Sequence, residues 1–104
     1  MPAEVVKVNQ QPWGLVRTYL KKTVNSIYIE AGTFACDPGK SLEEHIHEEG
    51  DEYCMMLSGQ GIFDIEGVKT VLNEGEVICI PKGAQHYSYN TGNEPFISAY
   101  LICP

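Results

Sequence analysis

Short runs rich in Val, Ile, Tyr, Phe and Thr are cut at close intervals by glycine and proline, and no stretch sustains the helical apolar repeat of about 3.6 residues. That pattern predicts an all-β sandwich or barrel with little helix. The runs place strands near Gly14–Leu20, Ser26–Ala31, Thr33–Cys36, Leu42–His47, Glu52–Ser58, Gly61–Ile65, Lys69–Leu72, Val77–Ile80, His86–Asn90 and Phe96–Ile102. Turns fall where the chemistry asks for them: Asp37-Pro38-Gly39, Asn73-Glu74-Gly75, and the hairpin-like Ser58-Gly59-Gln60-Gly61. Pro81-Lys82-Gly83 ends a strand, because Pro81 has no N–H to give a ladder. Residues 1–11 read as a loosely held N-terminal segment and residues 12–104 as one domain.

Alternation also sorts side chains by face. His45 and His47 share one side of their strand, with Ile46 on the other. Glu52 follows after a short acidic stretch, where a returning strand brings its carboxylate beside the imidazoles. The third histidine, His86, lies far along the chain and reaches this point only through the fold. The chain has three histidines, so all of them belong to this pattern. Three imidazoles and a carboxylate suit a divalent first-row ion: manganese, iron, cobalt, nickel, copper or zinc. Around an octahedral ion, four protein donors leave two positions open for substrate, water or dioxygen.

Charge narrows the partners. A formal net charge of −7 argues against nucleic acid and against anionic membranes. No apolar run approaches the roughly 18 residues of a membrane span, and the polar start lacks the apolar core of a secretory leader. A cytoplasmic location is therefore expected. Cys36, Cys54, Cys79 and Cys103 are spaced too widely for a zinc-binding Cys-x-x-Cys and are expected to be reduced thiols. Glu43, Glu44, Glu48, Glu49 and Asp51 crowd the first histidine pair, as a solvated loop or as a negative funnel for a cation.

The spacing goes further than the donor set. Gly39, His45, His47, Glu52 and Gly59 form one cluster, and Gly75, Pro81, Gly83, His86 and Asn90 a second. Together they match, position for position, the two signature motifs of the cupins, and the short stretch between Gly59 and Gly75 is similar to that of small single-domain microbial cupins. The resemblance implies an antiparallel jelly-roll β-barrel, often a homodimer. By position it implies that His45, His47, Glu52 and His86 are the metal ligands.

Other residues qualify as candidates around the ion. Cys54 and Met56 share the parity of Glu52, and Ser88 and Asn90 that of His86. Cys54 is a candidate ligand or oxidisable thiol, though a small core residue is the plainer reading. Phe63 and Ile65 are expected to wall the cavity, and Gln85 and Tyr87 to reach its mouth. A Tyr87 hydroxyl there could move a proton, but its parity favours an outward role. A carboxylate substrate would need a cation, for which Arg17, Lys40 and Lys82 are the candidates. Tyr53, Met55 and Leu57 face outward and are large and apolar, which a second subunit in a symmetric dimer would cover.

The functional expectation is a metal-dependent enzyme acting on a small oxygen-rich substrate, a sugar or small acid, by isomerisation, lysis or decarboxylation. The alternatives are a dioxygenase with a three-histidine, one-glutamate iron site, and a non-catalytic module that binds a small ligand or metal. No helix-turn-helix segment is legible, so a complete DNA-binding regulator is not expected.

Overall fold

The computed structural model describes residues 7–21 and 27–104. The described residues form nine strands and no helix: β1 (Lys7–Gln11), β2 (Gly14–Lys21), β3 (Glu30–Cys36), β4 (Asp51–Ser58), β5 (Gly61–Ile65), β6 (Val68–Leu72), β7 (Val77–Ile80), β8 (His86–Tyr89) and β9 (Phe96–Cys103). One sheet has six strands in the order β1-β2-β3-β9-β4-β7, the other three in the order β6-β5-β8. All pairings are antiparallel, the jelly-roll arrangement expected.

The core follows from strict alternation. On β4, Glu52, Cys54 and Met56 are buried while Tyr53, Met55 and Leu57 are exposed. On β9, Phe96, Ser98, Tyr100 and Ile102 turn inward. Phe34 on β3 joins the two sheets, because its ring packs against Trp13, Phe63, Phe96 and Tyr100. The register then lays two rows across the inner face of the large sheet. One runs Ile80, Glu52, Ile102, Glu30, and the other Ile78, Cys54, Tyr100, Gly32, Thr18. Ile80, Glu52, Ile102 and Glu30 of the first row and Cys54 and Tyr100 of the second line one cavity.

Four expectations are corrected. Lys7–Gln11 is a strand, paired with β2 over its whole length, and not part of a loose segment; residues 1–6 lie outside the described ones. The runs read as separate strands around Gly32 are one strand, β3, and Ser26 lies outside the described residues. Gly32 is no break. It faces a register shift between Thr18 and Leu20, and a Cβ there would sit 2.1 Å from the Arg17 carbonyl oxygen, so only glycine lets the backbones approach.

Third, the segment 42–47 is not a regular strand. It runs beside β8 with isolated bridges, Ser41 to Tyr89 and His45 to His86. Going from 41 to 45 takes four steps and from 89 to 86 only three, so one extra residue is absorbed as in a bulge. The ladder breaks there, yet the His45 and His86 backbones still exchange two hydrogen bonds of 2.9 Å. Fourth, the last strand of the second motif stops at Tyr89, and Asn90 turns the chain. Its side-chain amide donates to the carbonyls of Cys36 and Glu94, and its oxygen accepts from Gly92 N–H.

Candidate metal centre

The histidines and the glutamate come from three places: the bulged segment (His45, His47), the second residue of β4 (Glu52) and the first residue of β8 (His86). Their donor atoms all lie within 4.8 Å of one another. The turn Pro81-Lys82-Gly83 aims His86 into this group. Gly83 adopts φ +82°, a left-handed conformation that glycine takes without strain, and its N–H donates to the His47 carbonyl at 2.9 Å. The two motifs are thereby tied together through backbone as well as side chains.

Tautomers are fixed from behind. His45 Nδ1 lies 2.8 Å from the Glu43 carbonyl and His86 Nδ1 2.9 Å from the Ala84 carbonyl. A ring nitrogen facing a carbonyl must carry the proton, which leaves Nε2 as a lone pair on the inner side. Glu52 Oε1 lies 2.9 Å from His47 Nε2 and 3.3 Å from His86 Nε2. Glu52 Oε1 and His86 Nε2 are both buried without a hydrogen-bond partner. Two buried acceptors so close repel one another unless a cation stands between them. A proton on His86 is one such cation, a divalent ion another.

The electrostatics match. Burial pushes the Glu52 carboxyl up, but the close approach of the His47 and His86 imidazoles outweighs it and holds the group at about 2. Burial lowers His86, but the Glu52 carboxylate overrides it and raises the imidazole above its usual value. His45 goes the other way, lowered first by burial, with the neighbouring imidazoles adding to the effect. The donor set of three imidazoles and one ionised carboxylate fits a divalent ion.

A cavity of about 270 Å³ opens in front of the cluster. Cys54, Phe63 and Ser88 line it, as the alternation implies, and Tyr87 lines it too, although its parity favours an outward role. Cys54 is buried and its Sγ donates to Glu52 Oε2 at 3.5 Å. Burial and then the Glu52 charge push the thiol well above its usual range, so it serves Glu52 as a donor and offers no thiolate. Tyr87 reaches both this cavity and a shallow groove with Lys40 and Lys69, its ring stacked on Tyr89 at 5.9 Å. Ile65 packs against the core and Gln85 is exposed; neither lines the cavity. Arg17 does not either: it is exposed, opposite in parity to Val16 and Thr18, which turn inward. Lys40 and Lys82 are exposed and absent from the cavity wall.

The wall also carries a group that the sequence reading passed over. Glu30 lines the cavity, takes a 2.7 Å ion pair from Lys21, and accepts a hydrogen bond from the Tyr100 hydroxyl, which contacts Thr18 Oγ1 at 3.1 Å. Its parity with Phe34 and Cys36 was the available signal.

A family model described as a cupin domain matches residues 32–101. The chain is a cupin. Among curated proteins it is similar to the tetracenomycin polyketide synthase protein TcmJ of Streptomyces glaucescens, 30% identical over 64% of this chain and 45% of that protein. It is also similar to an acireductone dioxygenase of Bacillus licheniformis, 36% identical over 46% of this chain and 30% of the enzyme. In both cases the match spans less than half of the relative's length. Among solved structures, the cupin domain of Cnp3 from Schizosaccharomyces pombe superposes with a TM-score of 0.81, at 16% identity, over 94% of this cupin and 68% of that chain. No helix of the described residues is long and apolar enough to cross a membrane.

Proposed function

We propose that this cupin holds one divalent transition ion on His45, His47, Glu52 and His86, and that it is an enzyme for a small, oxygen-rich substrate, working by isomerisation, lysis or decarboxylation. The observation that carries this reading is the buried, partnerless pair of Glu52 Oε1 and His86 Nε2 at 3.3 Å, at the back of an open cavity. When bound, the ion supplies a Lewis acid or redox centre. The chain supplies the rest: Glu43 and Ala84 carbonyls orient two imidazoles, Cys54 steadies the glutamate, and Phe34, Phe63 and Trp13 wall off water. A dioxygenase is the second reading, favoured by the similarity to acireductone dioxygenase.

Elemental analysis of the purified protein, followed by oxygen-uptake assays on a panel of small hydroxycarbonyls, sugars and acids, separates the two. Stoichiometric metal with turnover and silent oxygen uptake is the expected result. Iron with oxygen consumption selects the dioxygenase, and bound metal with no turnover on any substrate class contradicts both and leaves a binding module.

We also propose that the chain pairs with itself through the outer face of the large sheet. Tyr53, Met55, Leu57, Val77, Ile97 and Leu101 are each 37–55% exposed there, on the adjacent strands β7, β4 and β9, an apolar patch of the kind that marks an interface. Sedimentation equilibrium is expected to give the dimer mass for the wild type and the monomer mass for Met55→Glu; a monomeric wild type contradicts the pairing.

A further inference from the structure

The cavity in front of the cluster has carboxylates but, among the described residues, no lysine or arginine in its lining. Lys7, Arg17, Lys21, Lys40, Lys69 and Lys82 are the described basic residues, and none lines it. Three carboxylates do: Glu52 at the cluster, Glu43 at an exposed position, and Glu30 farther along the same inner row as Glu52. A divalent ion brings two positive charges and Lys21, paired on Glu30, a third, so the three carboxylates are balanced and no cation is left over to receive a ligand carboxylate. A carboxylate ligand would add an unbalanced charge, with no fork of donors in the lining to receive it.

Glu30 is built in rather than incidental. Register places it two strands from Glu52 on the same inner row, with Ile102 between them, a backbone separation of about 10 Å at the usual strand spacing. Lys21 takes Oε1 from one side and the buried Tyr100 hydroxyl takes Oε2 from the other. Each carboxylate oxygen keeps a second lone pair, and the cavity lining also includes the Ser88 hydroxyl, Phe34 and Trp13, whose buried indole N–H has no partner among the described residues.

We infer that the cavity selects an uncharged hydroxycarbonyl compound over a carboxylate, with Glu30 accepting a hydrogen bond from a ligand hydroxyl and Tyr100 positioning Glu30. This rests on the metal reading above and narrows its substrate class, setting aside the small acids. With the ion held by His45, His47, Glu52 and His86, a ligand hydroxyl in the cavity would face Glu30.

The test uses cobalt(II)-loaded full chain, whose visible spectrum reports both the ion's donors and any added ligand. Three isosteric probes are titrated: hydroxyacetone (neutral), glycolate (anion) and aminoacetone (cation). Removing the charge with Glu30→Gln should shift the glycolate-to-hydroxyacetone affinity ratio by about tenfold toward glycolate, as expected for one charge at this distance in a cavity of intermediate dielectric. Tyr100→Phe keeps the charge and loses only the positioning hydrogen bond, so it should weaken hydroxyacetone several-fold and leave glycolate as it was. That pattern also guards against a Glu30 variant that fails to fold. An unchanged ratio in Glu30→Gln, with the cobalt spectrum intact, overturns the inference alone. Aminoacetone binding tightest in the wild type also overturns it, making the cavity a cation site. Failure of the wild type to take up cobalt overturns the metal reading and the inference together.

Discussion

Replacing His86 with alanine is expected to lower affinity for divalent metal by more than about a hundredfold, because losing a supporting partner alone typically costs 10- to 100-fold and a direct ligand costs more. His86 is the donor with the least freedom. It is 4% exposed, its Nδ1 is fixed on the Ala84 carbonyl, and its Nε2 meets Glu52 Oε1. The loss should be seen in a competitive chelator titration, with circular dichroism and an unchanged β spectrum as the check on folding. Backbone pairing of His86 with His45 does not depend on the imidazole, so the barrel should survive the substitution. Full metal occupancy in the alanine variant removes His86 from the ligand set.

Acidification should release the metal, and the profile should have a shape set by the individual imidazoles. Each imidazole must be neutral to bind, so protons compete with the ion and affinity falls as pH falls. His86 is raised above its usual value of 6.5, because the Glu52 carboxylate outweighs burial. Its proton therefore competes at a higher pH than an unperturbed histidine's would. His45 is lowered, first by burial, and joins only at more acid pH. Glu52, held at about 2, stays ionised throughout. The expected result is a fall that starts near neutrality with a slope of up to about tenfold per pH unit and steepens below pH 6, where more than one proton is displaced. Metal affinity measured by calorimetry from pH 8 to 5 checks this, and a flat curve contradicts imidazole ligation.

The sequence and the fold agree where local rules decide. Parity put Glu52, Cys54 and Met56 inside and Tyr53, Met55 and Leu57 outside, and burial on β4 follows that division. Motif spacing marked four residues from three separate segments, and the structure brings their donor atoms together. Legibility ended where a long-range neighbour sets the outcome. The segment 42–47 reads as a strand, but an extra residue opposite β8 breaks its ladder, and nothing within the segment reveals what it faces. Gly32 looks like a break, yet it is required by the approach of the Arg17 carbonyl on another strand. Arg17 looked useful only because it is the one arginine in the chain; the twist and register of β2 turn it to the outside. Glu30 was missed for the opposite reason. Its role comes from Tyr100 and Lys21, which lie on β9 and β2.

The most direct measurement is an anomalous difference map from crystals soaked in a transition metal and recorded at that metal's absorption edge. A single peak is expected, bonded to Nε2 of His45, His47 and His86 and to Oε1 of Glu52, with bond lengths of about 2.0–2.2 Å. No peak after soaking, or a peak elsewhere with these four side chains turned apart, would contradict the central claim that this barrel is built around one ion.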